Sequence, residues 1–216
     1  MADASKSDAE GAELYASHEK VFAREVKGRF QNLRNLAVYV LLGLFYLVPW
    51  LQWGERQAVL FDLPARKFYV FGIVFWPQDF IYLTALLIIA AFGLFLFTAV
   101  AGRLWCGYAC PQTVWTEVFV WIERAVEGSR SRQMRLDREP MSARKFRLKA
   151  TKHALWIALA LWTGFTFVGY FSSIRELGLG ILNFTIGPWE AFWILFYGFA
   201  TYGNAGWLRE QVCTYM

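Results

Sequence analysis

The chain contains three cysteines, and two of them, Cys106 and Cys110, stand four residues apart in a C-x-x-x-C-P sequence that ends at Pro111. Side chains four residues apart on a helix face the same way, and soft metal ions bind thiolates that converge within a few ångströms. The pair is therefore a candidate metal site. The alternative is two small apolar side chains at a helix end, because free cysteine is commonly buried.

The third cysteine, Cys213, follows a partial repeat of the same pattern. The sequence A-G-W-L at 205–208 resembles A-G-R-L at 101–104, with three additional residues before the cysteine in the second copy. This match indicates an internal duplication, and it predicts that Cys-Pro follows Met216, so that the chain is interrupted inside its second motif. Two complete pairs would supply four thiolates, which commonly hold an iron–sulfur cluster, and cysteine also suits cuprous ion.

The segments that must position these cysteines have the composition of a membrane protein. The residue types AVILMFWYC make up 57% of the chain, and the mean hydropathy is +0.32. A helix of roughly 20 apolar residues crosses the hydrocarbon core of a bilayer. We therefore expect an all-α membrane protein with four transmembrane helices, at about 36–53, 80–101, 154–171 and 189–208.

Lysine and arginine are distributed unevenly among the connections between these helices. They are concentrated just before the first helix and in the connection 124–152, and they are scarce in the other two connections. Since positive charge stays on the cytoplasmic side, both termini, the basic loop and all three cysteines are expected on the cytoplasmic face. Thiols are normally reduced there, which argues against a structural disulfide.

The remaining segments complete the predicted organisation. Residues 1–25 have the polar composition of a disordered cytoplasmic tail, and 26–216 form the membrane domain. The first outer loop, 54–79, predicts a short β-hairpin, because two β-rich runs flank a turn around Pro64.

An amphipathic helix is expected over 111–127 at the cytoplasmic membrane interface. Proline suits the first turn of a helix, and Pro111 stands at its start. Its apolar face is expected to carry Val114, Val118, Trp121, Ile122 and Ala125.

Several classes of function are disfavoured by what the chain lacks. Its two histidines are His18 in the tail and His153 at the start of the third helix, where a headgroup-level position is expected, so no pair of haem ligands is available and no haem is predicted. The four predicted helices carry essentially no charge, whereas ion-coupled carriers keep charged groups in their spans. Topology and attraction to lipid headgroups explain the basic charge, so nucleic acid is not expected as a partner.

Five segments of the chain resemble one protein family. They are 50–53, 56–68, 76–82, 105–115 and 209–216. The family is the cytochrome c oxidase accessory protein family CcoG, also called FixG or RdxA, and the resemblance covers the chain from about residue 25. The chain resembles more weakly the membrane iron–sulfur proteins NapH and NosR, which share paired C-x-x-x-C-P motifs after transmembrane helices.

This resemblance implies a multi-pass protein of the bacterial inner membrane that takes part in assembly of cbb3-type cytochrome oxidase by reducing cupric to cuprous ion. It also implies [4Fe-4S] clusters as cofactors, with copper as substrate or ligand. Cys106 and Cys110 correspond to the first motif of the family, and Cys213 corresponds to the first cysteine of the second. The ferredoxin-like and C-terminal domains of the family are absent from these residues, so reductase activity is expected of the complete form.

Some alternatives stay open at this point. The membrane cysteines hold either iron–sulfur or copper. The protein is either a redox protein or a non-enzymatic assembly scaffold that docks oxidase subunits and a copper transporter or chaperone. A quinol-oxidising unit of the NapH type is a third option. Membrane lipids are expected partners, and a homodimer is left open.

Overall fold

The structure is a computed structural model that describes residues 28–54, 56–76, 78, 80–101 and 104–209. The chain is mostly helical. Its helices are α1 Arg29–Leu47, α2 Phe80–Ala101, α3 Leu104–Tyr108, α4 Pro111–Glu127, α5 Arg130–Arg138, α6 Ala143–Val168, α7 Ile174–Leu182 and α8 Pro188–Tyr202. A 3₁₀ turn follows α1 at Val48–Trp50, and a π turn follows α8 at Gly203–Trp207. The strands are β1 Gln52–Trp53, β2 Arg56–Gln57, β3 Val59–Asp62, β4 Lys67–Val70 and β5 Ile73–Phe75.

Two helices in the described part of the chain are long and apolar enough to cross a membrane. They are Arg29–Trp50, with a mean hydropathy of 1.5, and Ile81–Ala101, with a mean hydropathy of 2.6. No residue in the apolar window of α2 is buried inside the protein. A helix that is apolar all round and has no protein around it has the properties of one surrounded by lipid. The protein is thus a membrane protein, and the other two predicted spans, 154–171 and 189–208, remain predictions.

The helix boundaries agree with the sequence only for the most apolar span, since the first predicted span, 36–53, corresponds to a helix that already begins at Arg29 and ends at Leu47. The second predicted span and α2 have the same limits, 80–101. By contrast, α6 begins at Ala143 rather than near 154, because its first turns contain lysine and arginine, which are good helix formers but depress the hydropathy. Its N-terminus is capped by Ser142, whose Oγ accepts from the Arg144 backbone N–H at 3.3 Å. The predicted basic loop 124–152 is therefore largely helical.

Helices α6 and α8 approach each other closely through glycine. A Cβ on Gly164 would overlap the carbonyl oxygen of Ile194 and would lie 2.9 Å from the backbone nitrogen of Gly198. Small residues let helix backbones approach in this way. At the far end of α6, Phe165 and Val168 pack with residues of α7 and α8 in one buried apolar cluster.

The predicted hairpin is present. Strands β3 and β4 pair antiparallel, and β5 adds a third strand that the sequence pattern did not predict. Strands β1 and β2 form a separate two-stranded sheet, and the side chain of Gln57 in β2 links it to the connection between α6 and α7. Its Nε2 donates to the carbonyl of Gly169 at 2.7 Å, and its Oε1 accepts from the Ile174 backbone N–H at 3.2 Å. These bonds explain how a polar residue is buried there.

Helix α4 has the predicted limits, Pro111–Glu127. Of the residues predicted for its apolar face, Val114 is buried in the protein and Ala125 is exposed, and the position of this face at the membrane interface stays a prediction. The buried positions of α4 are Val114, Glu117, Phe119, Val120, Glu123 and Glu127. The buried glutamates, which the apolar pattern did not indicate, pair with Arg34 of α1, Lys152 of α6 and Arg209 after the π turn.

Candidate functional site

Cys106 and Cys110 lie at the junction of two helices, α3 and α4, rather than on one continuous helix as their spacing predicted. Cys106 is exposed on α3, and Cys110 is half-buried at the N-cap of α4; both are free thiols. The backbone N–H groups of Ala109 and Cys110 donate to the carbonyl of Trp105 at 2.9 and 3.0 Å. The Thr113 hydroxyl donates to the carbonyl of Cys106 at 2.6 Å. The backbone of both cysteines is thus held by hydrogen bonds, as a ligand pair requires.

The helix that begins at this turn makes the site electrostatically suited to an anionic group. Helix α4 has 17 residues, starts with Pro111 and has no acidic residue in its first turn. The first peptide N–H groups of a helix point out of its N-terminus, where the helix dipole favours negative charge. A metal centre with thiolate ligands carries such charge.

The donor chemistry at the turn fits half of a four-thiolate site. A [4Fe-4S] cluster is commonly held by four cysteine thiolates, and Cys106 and Cys110 would supply two of them. Within the described ranges, no group of three or more His, Cys, Asp or Glu residues is placed to hold a metal ion. Cys213 lies outside the described residues, so its predicted role as a third ligand stays a prediction.

The described residues after α8, 203–209, contact α4. At the start of that helix, Gln112 donates from Nε2 to the carbonyl of Asn204 in the π turn at 2.9 Å. Further along α4, Arg209 Nη1 lies 3.0 Å from Glu123 Oε2. Helix α4, which begins at the first cysteine motif, therefore also contacts the residues that follow α8.

A set of buried charges around α4 was missed by the sequence analysis. The ion pairs are Arg34–Glu117 at 2.7 Å, Lys152–Glu127 at 2.7 Å, Lys152–Glu123 at 3.5 Å and Arg209–Glu123 at 3.0 Å. The span prediction began the third helix after Lys152 and so excluded it. The four-residue spacing of Glu123 and Glu127, which places both on one helix face, was the signal that could have indicated a shared cationic partner.

Trp156 on α6 lies between two of these cations. Lys152 Nζ and the Arg209 guanidinium carbon are each 5.0 Å from the centroid of its ring, within the range of cation–π attraction. Its Nε1 donates to the carbonyl of Phe119 on α4 at 3.1 Å. The tryptophan therefore links α6, α4 and the segment after α8.

His153 lies half-buried beside this cluster. Its Nδ1 is 3.0 Å from the hydroxyl of Tyr202, and its ring packs edge-on against Trp156. Burial, followed by the positive charge of Lys152, lowers the pKa of His153. The histidine thus favours its neutral form and contacts protein side chains at this level of the helix.

Comparison with known proteins places the cysteine turn in a recognised type of domain. A protein-family model described as a 4Fe-4S binding domain matches residues 83–128, which include Cys106 and Cys110. The nitrogen fixation protein FixG of Rhizobium meliloti is 43% identical over 94% of this chain and 40% of its own length. Protein RdxA of Cereibacter sphaeroides is 42% identical over 94% of this chain and 44% of its own length. Protein RdxB of the same organism is 41% identical over 96% of this chain and 45% of its own length. No solved structure matches the chain.

The apolar helices and the matched 4Fe-4S binding domain, which includes the two cysteines, define a membrane-associated iron–sulfur protein. The chain belongs to the FixG/RdxA family, as the resemblance of its five segments predicted. It spans less than half the length of these curated relatives.

Proposed function

We propose that these residues form the membrane part of a redox protein that reduces Cu(II) to Cu(I) for assembly of a cbb3-type cytochrome c oxidase. The observation that carries the proposal is the turn with Cys106 and Cys110 at the N-terminus of α4, inside the residues matched by the 4Fe-4S domain. The oxidase, a copper transporter or chaperone, and membrane lipids are the proposed partners.

The two cysteines have different surroundings that suit this chemistry. Cys110 is half-buried and fixed at a helix start, while Cys106 is exposed and open to an approaching ion or protein. A [4Fe-4S] cluster held by them, with Cys213 as a further ligand, would supply one-electron transfer. Cuprous ion is softer than cupric ion and prefers thiolate ligands, so a thiolate-rich surface favours the reduced product. Each cupric ion takes up one electron, supplied by a ferredoxin-like domain of the kind that the family carries.

The proposed location is a bacterial inner membrane, with the predicted segments 36–53, 80–101, 154–171 and 189–208 as spans and the cysteines on the cytoplasmic face. Support comes from the ion pair between Arg34 near the start of α1 and Glu117 on α4. This contact joins the cysteine-bearing helix to the basic end of the first span, and basic ends favour the cytoplasmic side.

The test uses the protein expressed from its complete gene and purified without oxygen, because the matched relatives are longer than these residues. Iron, acid-labile sulfide and copper are measured, together with the EPR spectrum after dithionite reduction and the rate of cupric reduction. The Cys106→Ser, Cys110→Ser double variant is expected to lose both the cluster signal and the reduction of copper. Met141→Ser, which removes an exposed sulfur on the connection before α6, is the control and is expected to keep both.

The other outcomes contradict the proposal in distinct ways. Cupric reduction that persists in the double serine variant would overturn the assigned site. Stoichiometric cuprous ion without iron would make the turn a copper-holding site. Protein without metal that still supports oxidase assembly would favour the scaffold alternative.

A further inference from the structure

The three-stranded sheet β3–β4–β5 lies between the two helices that are long and apolar enough to cross a membrane. The first of these helices, Arg29–Trp50, ends shortly before the strands, and the second, Ile81–Ala101, begins shortly after β5. A chain that crosses a bilayer and then crosses back leaves and enters at the same membrane surface. The sheet therefore lies beside one surface of the bilayer, at the end of the first helix that is remote from Arg29 and Arg34.

The pairing register puts six apolar side chains on one face of this sheet. Side chains alternate between the two faces along a strand, and directly paired residues share a face. Phe61, Phe68 and Phe75 are paired across the three strands. The residues two positions away on each strand form a second paired row on the same face, and they are Val59, Val70 and Ile73. We call these six residues the apolar sheet face.

The opposite face of the sheet is partly polar. Asp62 and Lys67 are paired on it. Tyr69 lies on the same side, and the guanidinium carbon of Arg56 is 4.2 Å from the centroid of its ring. The sheet is therefore amphipathic, as an antiparallel sheet is when one face is covered by apolar material and the other is solvated.

Protein covers the apolar sheet face at β3. The ring centroid of Phe171, just beyond the end of α6, lies 5.8 Å from that of Phe61. The Phe61 backbone N–H also donates to the carbonyl of Tyr170 at 2.8 Å. At the other side of the sheet, on β5, Ile73 is 59% exposed and Phe75 is 38% exposed. The face that packs against the end of α6 thus extends beyond it with apolar side chains that stay exposed.

We propose that the exposed part of the apolar sheet face, at Ile73 and Phe75, lies in the interfacial region of the bilayer and is covered by lipid. The position is interfacial rather than within the hydrocarbon core, because an open sheet leaves backbone groups that need water or headgroups as partners. An amphipathic element at a membrane surface buries its apolar side in the boundary between headgroups and acyl chains.

Two neighbouring features favour lipid as the occupant. The helix that begins after β5, Ile81–Ala101, has no buried residue in its apolar window, so lipid is already expected around it. Trp76, directly after β5, is exposed, and Lys67 Nζ lies 4.6 Å from the centroid of its ring. Tryptophan and lysine commonly occupy the level of the headgroups, with an apolar body inward and a polar end in water.

The first test places a photoreactive side chain on each face of β5 in turn. The complete protein is reconstituted in vesicles of phosphatidylethanolamine and phosphatidylglycerol, with p-benzoylphenylalanine in place of Ile73, Phe75 or Val74. Val74 stands between the other two and lies on the opposite face, so it is the matched control. After irradiation, the protein mass should show a lipid adduct for positions 73 and 75 and none for position 74.

Each other pattern of adducts contradicts the proposal. A crosslink from position 73 to a second copy of the chain, or to another protein, would make the apolar sheet face a protein interface. A lack of lipid adducts at positions 73 and 75 would mean that the face is in water. Equal lipid adducts at positions 73 and 74 would show that lipid does not distinguish the two faces.

The second test compares two charges at one position. Lysine and glutamate are both weak strand formers, so their difference reports the surroundings of the side chain. Ile73→Lys should leave the melting temperature in lipid nanodiscs nearly unchanged, because lysine extends its ammonium to the headgroups while its stem stays in the interface. Ile73→Glu should lower the melting temperature by about 2–4 °C.

The remaining outcomes of this comparison overturn the inference. Two variants as stable as the unaltered protein would place Ile73 in water, and two variants destabilised equally would place it against protein. Neither test depends on a metal or on electron transfer. The inference and the proposed redox function therefore succeed or fail separately.

Discussion

Helices α2 and α6 are both long enough to cross a membrane, yet they are built for different surroundings. Throughout the apolar window of α2 no residue is buried against the protein, and its residues 81–101 contain no charged side chain. Helix α6 starts with basic residues, buries Lys145 and Lys152, and approaches α8 at Gly164. The surface of α2 is suited to lipid, whereas the surface of α6 is suited to particular protein neighbours.

The difference shows which positions tolerate change. Along α2, any apolar side chain satisfies the lipid, so its sequence is determined only by hydrophobicity and length. Along α6, a buried lysine needs its glutamates and a glycine needs the space beside it. Substitutions should therefore be severe in α6 and mild in α2.

The largest effect is expected from removal of the buried lysine. Lys152→Met leaves Glu123 and Glu127 buried without Lys152, and breaking a buried pair in this way costs about 3–5 kcal/mol. Thermal unfolding in detergent would measure the loss. Lys149→Met, on the same helix, breaks a partly exposed pair with Asp137 and should cost at most about 1 kcal/mol. Similar losses in the two variants would contradict the distinction between the buried and the partly exposed ion pairs of α6.

A smaller but still marked effect is expected at the close approach of α6 and α8. Gly164→Leu must separate the two backbones, because the overlapping atoms belong to the main chain of α8, and overpacking of this kind costs about 1–3 kcal/mol. Gly93→Leu is the matched change in α2, where no atom lies within 4 Å of the added Cβ. The melting temperature should fall in the first variant and stay constant in the second. Equal stability of the two variants would show that α6 and α8 are not packed as described.

The smallest effect concerns pH. The pKa of His153 is lowered in the folded protein, so the unfolded chain binds the proton more tightly. The contribution of His153 to the free energy of unfolding is therefore fully present above the ordinary histidine pKa of about 6.5. It decreases slightly as the pH falls through that value toward the lower pKa of His153 in the folded protein. Melting curves from pH 8 to 5 should show a shallower fall in His153→Gln. A steeper fall in that variant would be inconsistent with the lowered pKa.

The sequence predicted the parts of the fold that depend on local composition. The limits of α2 and α4 and the pairing of β3 with β4 agree with the structure. Each of these follows from a short pattern: an apolar run, a proline at a helix start, or two β-rich runs around a turn. The cysteine pair was likewise singled out from its spacing, and its role as a pair of ligands stays a prediction.

The buried charges could not be predicted in the same way. The buried state of Glu123 depends on Lys152 and Arg209, which lie far from it along the chain. A hydropathy window counts such residues as surface or loop, because it records their type and not their partners. The same reason explains why the start of α6 was placed too late.

The π turn Gly203–Trp207 rotates the residues that follow α8 about the helix axis, relative to where a continuous α-helix would place them. A π turn holds one residue more than the α turn it replaces, and one residue corresponds to a rotation of about 100° around a helix. The rotation sets the angle at which Arg209 meets Glu123, while Phe199 on the preceding turns stays exposed. A one-residue insertion is therefore sufficient to turn the residues after α8 toward α4 while the apolar length of the helix is kept.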